Sequence, residues 1–170
     1  MQDFVHLHVH TQYSLLDGQA SVSRLVDKAM KDGMKGIAVT DHGNMFGIKE
    51  FTNYVNKKNS GPKGEIKDLK KRIAGIESGE IECEDKEAEI ADCRAKMAEA
   101  ESKLFKPIVG CEMYVARRTM DKKEGKPDQS GYHLIVLAKN EKGYHNLIKL
   151  VSHAWTRGYY MRCLLYTSDA

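Results

Sequence analysis

The sequence predicts an α/β fold in which short buried strands alternate with amphipathic helices. Two such units stand near the start: a strand at residues 4–11 with a helix at about 22–32, then an apolar strand at 36–40 with a helix at about 46–57. In both helices the apolar residues recur every three or four positions, as in a helix with one buried face. Strands that alternate with helices in this way are typical of a parallel sheet or barrel.

The first predicted strand carries three histidines at alternate positions, His6, His8 and His10. Since strand side chains alternate between faces, we expect the imidazoles on one face and the intervening aliphatic side chains on the other. An imidazole fills an apolar core poorly unless both nitrogens have partners, whereas neutral imidazole is a common ligand of zinc, iron and manganese. We interpret the stretch as part of a metal site. The alternative is an exposed strand whose polar face lies in water.

Turn and cap residues delimit the next elements. A loop at residues 11–18 ends in a turn-prone Asp-Gly pair, Ser21 can cap the following helix, and Gly33 can stop it. The second strand then runs directly into Asp41 and His42. Polar residues that could bind a metal therefore follow the first and the second strand alike.

A highly charged segment interrupts this alternation. Residues 63–103 contain 9 Lys/Arg and 12 Asp/Glu, with two series of apolar residues at helical spacing and a break at about 78–85. We interpret the region of about 60–104 as an antiparallel helical hairpin, a solvated structural or docking arm rather than a catalytic element. Cys83 and Cys93 are expected to lie on it as inert residues.

The α/β pattern resumes with a third strand at 107–115, which carries Glu112. A basic loop leads to a fourth strand at 132–138, which carries His133, and a helix is predicted at about 144–153. The final residues, 163–170, resemble a translated sequencing-library adapter rather than biological sequence, so we leave them out of the fold prediction. We expect Cys111, next to Glu112, to be a small buried apolar group.

The bulk composition excludes few functions. The net charge of +3 is only mildly basic and does not by itself indicate nucleic-acid binding. The start of the chain lacks the basic and apolar regions of a secretory signal, and no apolar run reaches the roughly 18 residues of a membrane span. Four cysteines without regular spacing fit a reducing cytoplasm better than a secreted scaffold. We therefore expect a cytoplasmic protein that does not enter a membrane.

Candidate metal ligands occur at four successive strands. They are His8 and His10, then Asp41 and His42, then Glu112, then His133, with Asp17 in the first loop. A parallel α/β barrel brings the carboxyl ends of its strands together at one face, so these residues are expected to converge. A carboxylate such as Glu112 could bridge two ions at the short spacing used in two-metal phosphoester chemistry.

Four segments resemble the PHP (polymerase and histidinol phosphatase) domain found in the alpha subunits of bacterial DNA polymerase III. They are HLHVHTQYSLLDG, AVTDHGNMFG, KPIVGCEMYVA and YHLIVLAKNEKGYHNLIKLVS, and the likeness covers nearly all of residues 3–160. The resemblance implies a distorted (βα)7 barrel of the TIM type, incomplete in this chain, into which the charged hairpin is inserted. It also implies two or three divalent ions, of zinc, manganese, iron or magnesium, at the carboxyl ends of the strands.

The resemblance also implies a role for individual residues. The implied metal ligands are His8, His10, Asp17, Asp41, His42, Glu112 and His133. His8, His10 and Glu112 are the implied catalytic residues, and Asp41 is either a ligand or a residue that orients one. His6 falls where many members of the family carry another residue, so its implied role is to support the ligands; the alternative is a packed or hydrogen-bonded histidine. His145 and His153, on the last helix, are expected at the surface.

For function, the resemblance implies a piece of a replicative DNA-directed DNA polymerase whose PHP site supports 3′–5′ exonuclease or phosphoesterase hydrolysis. The implied partners are DNA and the sliding clamp, proofreading and clamp-loader subunits. One alternative is a metal-binding structural module that stabilises the polymerase and docks a proofreading subunit. A second is a stand-alone PHP phosphatase acting on a small phosphate ester. The family's later ligands have no counterpart here, so we expect the 170-residue chain to be inactive alone.

Overall fold

The structure is a computed structural model that describes residues 4–160 and 163–164. The described residues form a mixed α/β fold with five α-helices and a small sheet. Strands β1 (Gly36–Val39), β2 (Lys106–Val115) and β3 (Tyr132–Leu137) form this sheet in the order β1-β2-β3. The α/β class predicted from the alternation of strand and helix patterns is therefore confirmed.

The chain divides into two compact units. The first contains residues 4–52 and 107–160, and the second contains residues 53–106. The division falls inside helix α2 (Ile48–Lys58). All the residues that the sequence indicates as metal ligands belong to the first unit.

Helix α1 (Val22–Lys31) contacts β1. Val22, Val26 and Ala29 are buried because their spacing of three and four residues places them on one side of the helix. The helix ends as the sequence indicates, since Gly33 adopts a φ of 79° just beyond it.

Helix α5 (Glu141–Arg157) packs on β2. Leu147 and Val151 form a buried cluster with Cys111 and Met113 of β2, and this confirms that Cys111 is a buried apolar group. The helix begins three residues earlier than predicted because the Asn140 side chain caps it by accepting a hydrogen bond from the Gly143 amide.

The first predicted strand is an irregular extended segment rather than a regular strand. The carbonyl oxygens of His6 and Val9 accept hydrogen bonds from the amides of Ala38 and Thr40, each at 2.9 Å. The step of two residues from Ala38 to Thr40 is thus matched by a step of three residues on the opposing segment, which bends at residues 7–8. One extra residue breaks the two-residue alternation, as in a β-bulge. The regular alternation that would place His6, His8 and His10 on one face is therefore interrupted.

The fourth predicted strand, β3, does not follow the predicted parallel arrangement. It pairs antiparallel with β2, with Glu112 opposite Ile135 and Tyr114 opposite His133. On the other side of β2, His42 and Glu112 form a parallel bridge. The connection from β2 to β3, residues 116–131, contains no α-helix, whereas the crossover between two parallel strands is usually an α-helix. Within the described residues the sheet is mixed, and the closed parallel barrel is not seen.

The second unit contains two long helices, α3 (Ser60–Ser78) and α4 (Lys86–Ser102), that pack against each other. Asn59 is bonded to Phe105 at one end, and Arg72 forms an ion pair with Glu89 nearer the connecting segment, so the helices run antiparallel. Cys93 is buried on α4, as befits an inert residue, whereas Cys83 lies in the connecting segment.

The end of the described chain is a small antiparallel pair. Strands β4 (Tyr159–Tyr160) and β5 (Cys163–Leu164) are two residues long each. Of the tail that we interpret as foreign sequence, residues 165–170 lie outside the described residues. Within the part of the chain that the structure covers, no helix is both long enough and apolar enough to cross a membrane.

Candidate metal centre

Glu112 lies at the centre of the candidate site. Its side chain is 2% exposed, although it carries a carboxylate. On one side, Oε1 lies 3.4 Å from His8 Nε2 and 3.1 Å from His133 Nδ1. Burying a carboxylate costs much free energy unless positive charges or hydrogen-bond donors surround it. The Glu112 carboxylate therefore requires cations or donors beside it.

The second carboxylate oxygen of Glu112 faces a different pair of imidazoles. Oε2 lies 4.0 Å from His10 Nε2 and in contact with His42 Nδ1. The hydroxyl of Tyr114 also donates to Oε2, at 3.3 Å. Each oxygen of the carboxylate is therefore flanked by two histidines from two separate segments, which is the environment expected of a bridging carboxylate.

Strand pairing explains how the four histidines reach Glu112. His133 is at the start of β3, and the antiparallel register places that start beside the end of β2. His42 follows β1 and forms the parallel bridge with Glu112. The candidate ligands thus converge at one edge of the sheet as predicted, but His133 does so because its strand runs the other way.

The ligand atoms of His8, His10 and Glu112 fit a shared ion. They all lie within 4.8 Å of one another, and the two histidine Nε2 atoms are 3.0 Å apart. Ligands held at about 2.0–2.1 Å from one ion are separated by roughly 3–3.5 Å, so the nitrogen pair already has the required spacing. Imidazole nitrogens with a carboxylate suit zinc, iron or manganese.

Asp41 lies beside the site, but its oxygens are already used. It is buried, and it accepts hydrogen bonds from the Thr11 amide at 2.6 Å, the Thr11 hydroxyl at 2.8 Å and the Ser14 hydroxyl at 2.7 Å. Of the two roles considered for Asp41, these bonds favour that of a residue that orients its neighbours, because three donors take three of the roughly four acceptor positions of the carboxylate.

Ser14 fixes the tautomer of His10. The single hydroxyl proton of Ser14 goes to Asp41, so its oxygen can only accept from His10 Nδ1, which lies 3.2 Å away. Nδ1 of His10 must therefore carry the proton, which leaves a lone pair on Nε2, the nitrogen that faces His8 and Glu112. The imidazole is thus held in the form that binds a metal.

The environment of His10 also favours its neutral form. Burial lowers the pKa of His10, and the neighbouring His42 ring, stacked at 4.0 Å between centroids, lowers that pKa further. Because a metal binds only the neutral imidazole, both effects keep His10 competent to bind at lower pH than an exposed histidine.

Asp17 approaches the site from the loop at residues 11–18. Its Oδ2 lies 3.0 Å from His42 Nε2, and this hydrogen bond lowers the pKa of the Asp17 carboxyl. The backbone of this loop is packed so closely that a Cβ on Gly18 would lie only 1.9 Å from the Thr11 carbonyl oxygen, so the position requires glycine. Asp17 therefore joins the histidine group through His42 rather than through Glu112.

His6 does not lie with the other histidines. Its ring is exposed and packs edge-on against Phe4, with centroids 4.7 Å apart. The prediction that His6 supports the ligands does not match this placement, since the extra residue between His6 and Val9 shifts the alternation. His145 and His153 are exposed on α5, as expected.

Two residues of the site were not found from the sequence. Tyr114 lies two positions after Glu112, and its hydroxyl is 2.7 Å from His42 Nδ1. The two-residue period of a strand could have indicated Tyr114, because it shares a face of β2 with Glu112. Ser14 carries no such signal, since only the folded loop brings its hydroxyl to His10.

Comparison with known proteins identifies the family of the chain and several relatives. The PHP domain family matches residues 6–168 of the chain. DNA polymerase III subunit alpha of Borreliella burgdorferi is 39% identical over 160 residues, and that of Treponema pallidum is 38% identical over 160 residues. Each alignment covers 94% of this chain and 10% of the relative. The same subunit of Aquifex aeolicus is 32% identical over 167 residues. The chain thus spans about a tenth of the length of these relatives.

Proposed function

Because the chain belongs to the PHP domain family, we propose that it is the PHP portion of a bacterial DNA polymerase III alpha subunit and that its Glu112 site is a metal-dependent phosphodiesterase. The observation that carries this proposal is the placement of Glu112, with two histidines against each oxygen. The similarity to DNA polymerase III alpha subunits over 94% of the chain supports the proposal that the chain is part of such a subunit. In that parent the mixed sheet is part of the family's barrel, and the α3–α4 hairpin is an insertion.

Two or three divalent ions would be held by the histidines around Glu112. His8, His10 and Glu112 are the group with the closest mutual spacing, and His133, His42 and Asp17 offer further donors. When bound, such ions supply charge stabilisation to a phosphate and an activated water for its hydrolysis. The substrate we propose is the 3′ end of a DNA strand.

The residues of the chain itself prepare this site. Glu112 provides a buried negative charge among four imidazoles, and Tyr114 bonds both Glu112 and His42. Asp41 and Ser14 hold His10 with its Nε2 lone pair toward Glu112. These contacts fix the positions of the donors before an ion arrives, which reduces the reorganisation that binding requires.

The test is hydrolysis of a single-stranded DNA oligonucleotide by the full-length gene product with Mn²⁺ or Zn²⁺. We expect Glu112→Gln and His8→Ala to reduce the release of the terminal nucleotide about 100-fold, because each removes a ligand of the ions. His145→Ala is the matched control, since this exposed histidine on α5 contacts none of the site residues.

Metal content and polymerisation rate are measured beside hydrolysis. Wild-type rates of hydrolysis in both site variants would contradict the proposal. The structural alternative has a different signature: the wild-type protein binds the metals and is stabilised by them but releases no nucleotide. DNA, the sliding clamp, and the proofreading and clamp-loader subunits are the partners proposed for the full-length protein.

A further inference from the structure

We propose that the aromatic cavity beside the metal centre binds the base of the 3′-terminal nucleotide of single-stranded DNA. The cavity has a volume of about 390 Å³ and shares Asp17, His42 and Tyr114 with the candidate site. This inference rests on the proposed function, because it assigns a subsite to the same substrate. It identifies residues of the chain that contact the base rather than the phosphate.

The wall of this cavity is unusually rich in aromatic side chains. Its aromatic lining consists of Tyr13, Phe46, Tyr114, Trp155 and Tyr159. Three of these keep large exposed fractions: Phe46 is 63% exposed, Tyr159 is 53% exposed and Trp155 is 46% exposed. Large apolar side chains grouped in this way at a concave surface indicate a binding site, whereas isolated ones do not.

The aromatic rings are held in place by their neighbours. The indole nitrogen of Trp155 donates to the Gly43 carbonyl at 3.0 Å, and the Trp155 ring lies parallel to that of Tyr159 with an interplanar angle of 9°. Asn44 ties the opposite wall together, because its side chain bonds the carbonyl oxygens of Tyr13 and His42 and the amide of Phe46. The exposed faces are therefore preorganised for stacking, which lowers the entropic cost of binding.

The chemistry of the cavity favours a base over other ligands. Every nucleobase has a flat face that stacks on an aromatic ring, so such a surface accepts any sequence. No lysine or arginine lines the cavity in the described chain, so it has no group of its own for a phosphate. The phosphate would instead lie at His42 and Asp17, where the ions are proposed, and the base would extend toward Trp155.

Photocrosslinking tests this placement directly. The full-length protein is mixed in the presence of Mn²⁺ with an oligonucleotide that carries 5-iododeoxyuridine at its 3′ end and a phosphorothioate at the terminal linkage, which slows hydrolysis. The irradiated product is digested and sequenced by mass spectrometry. We expect crosslinks at Trp155, Phe46 or Tyr159. Moving the iodinated base to the 5′ end should remove them.

Crosslinks confined to other parts of the protein would overturn the inference, including the case in which another segment or a partner covers the cavity. Crosslinks at these rings together with no nucleotide release in the presence of metal would reject the hydrolytic function but keep the subsite. The two proposals therefore fail separately.

Kinetics provide a second readout in the active protein. Trp155→Ala should raise the KM for the oligonucleotide about 10-fold with little change in kcat, and it should remove the preference of the wild-type protein for a normal over an abasic 3′ end. Trp155→Phe, which keeps a ring, should restore most of this preference. Tyr144→Ala is the control, because this tyrosine is on the same helix but outside the cavity.

Discussion

At the level of single residues, the hydroxyl of Ser14 decides what His10 can do. Ser14 donates to Asp41 and accepts from both His10 Nδ1 and the His42 amide, so it joins the two histidine segments. Ser14 itself is almost fully buried, at 1% exposure. The nitrogen of His10 that keeps its lone pair is therefore selected by a residue four positions further along the chain.

Replacing Ser14 tests this role. We expect Ser14→Ala to weaken Mn²⁺ or Zn²⁺ binding about 10- to 100-fold, because His10 loses the acceptor that fixes its tautomer and ring orientation. Isothermal titration of the metal into the apo full-length protein measures this affinity. A change in the d–d spectrum of bound Co²⁺ would report altered coordination, which a loss of stability alone does not produce.

Thr11→Val is the matched control for Ser14→Ala. It removes one hydroxyl donor to Asp41 in the same buried loop but leaves the partner of His10 unchanged. Equal losses of metal affinity in the two variants would reject a specific role of Ser14 in favour of general support of Asp41.

Most residues of the candidate site could be predicted from the sequence, and those that could not depend on contacts that form only in the folded chain. His8, His10, Asp17, His42, Glu112 and His133 converge as the sequence indicates. The position of His6 away from the other histidines could not be predicted. The bulge adds one residue between His6 and Val9, which changes the face that a side chain occupies, and no sequence pattern marks it. The choice between two roles for Asp41 depended on hydrogen bonds that form only in the folded loop.

At the level of elements, strand direction was the feature that the sequence did not reveal. The residues of β3 form a clear apolar run, but hydrophobicity alone does not distinguish a parallel from an antiparallel strand. The helices were predicted to within a few residues because their period and capping residues are local properties. Pairing depends on contacts between distant segments.

The base of the α3–α4 hairpin should depend on Asn59. Its side chain donates to the Phe105 carbonyl at 2.8 Å and accepts from the Phe105 amide at 2.9 Å, and both bonds are buried. We expect Asn59→Ala to destabilise this unit by about 2 kcal/mol, because two buried backbone groups lose their partner. Hydrogen exchange of the α3 and α4 amides in the full chain measures the local stability.

Asn56→Ala provides the comparison for Asn59→Ala. Asn56 is exposed and its side chain bonds only a lysine at the surface, among the contacts described, so the change should cost less than about 0.5 kcal/mol. Similar exchange rates in the two variants would show that the buried bonds of Asn59 do not hold the hairpin closed.

The loop between β2 and β3 should loosen in acid. The Asp128 carboxylate pairs with Arg118 and accepts from the Glu124 amide at 2.7 Å, and the Arg118 guanidinium, followed by that amide, lowers the pKa of Asp128. A carboxyl group whose pKa is lower in the folded than in the unfolded state stabilises the folded state. This stabilisation is complete at pH values above the pKa of the unfolded state, near 3.9. It is lost as the pH falls through the lower pKa of the folded state.

Protection of the Glu124 amide against hydrogen exchange reports this loop. We expect the protection to be constant above about pH 4 and to fall on further acidification, once the intrinsic exchange rate is allowed for. In Asp128→Asn the protection should be lower throughout and should lack this acid step. An unchanged pH profile in Asp128→Asn would assign the acid response to another group.

At the level of the whole molecule, large apolar side chains remain exposed around the first unit. They include Leu7, Leu15, Leu16, Phe46, Leu134 and Trp155. In the described residues β3 is also a sheet edge, because its pairing is with β2 alone. A surface of this kind is typical of a part that is completed by other segments or by a ligand.

We therefore expect residues 1–162 to fold poorly when expressed alone. The open edge and the exposed apolar side chains leave too little buried surface to offset the chain entropy of a cooperative unit. Calorimetry should show a broad transition of low enthalpy. A sharp melt with an enthalpy near the value usual for a domain of this size, about 0.7 kcal/mol per residue, would prove this expectation wrong.

The central feature of the proposed site is Glu112, a carboxylate that holds metal ions through both of its oxygens. Anomalous diffraction from crystals of the Mn²⁺- or Zn²⁺-loaded full-length protein tests this directly. We predict anomalous peaks at about 2.0–2.2 Å from Glu112, one shared with His8 and His10 and a second on the side of His133 or His42. Occupied metal sites that do not include Glu112, or crystals that bind no ion beside these histidines, would contradict the account.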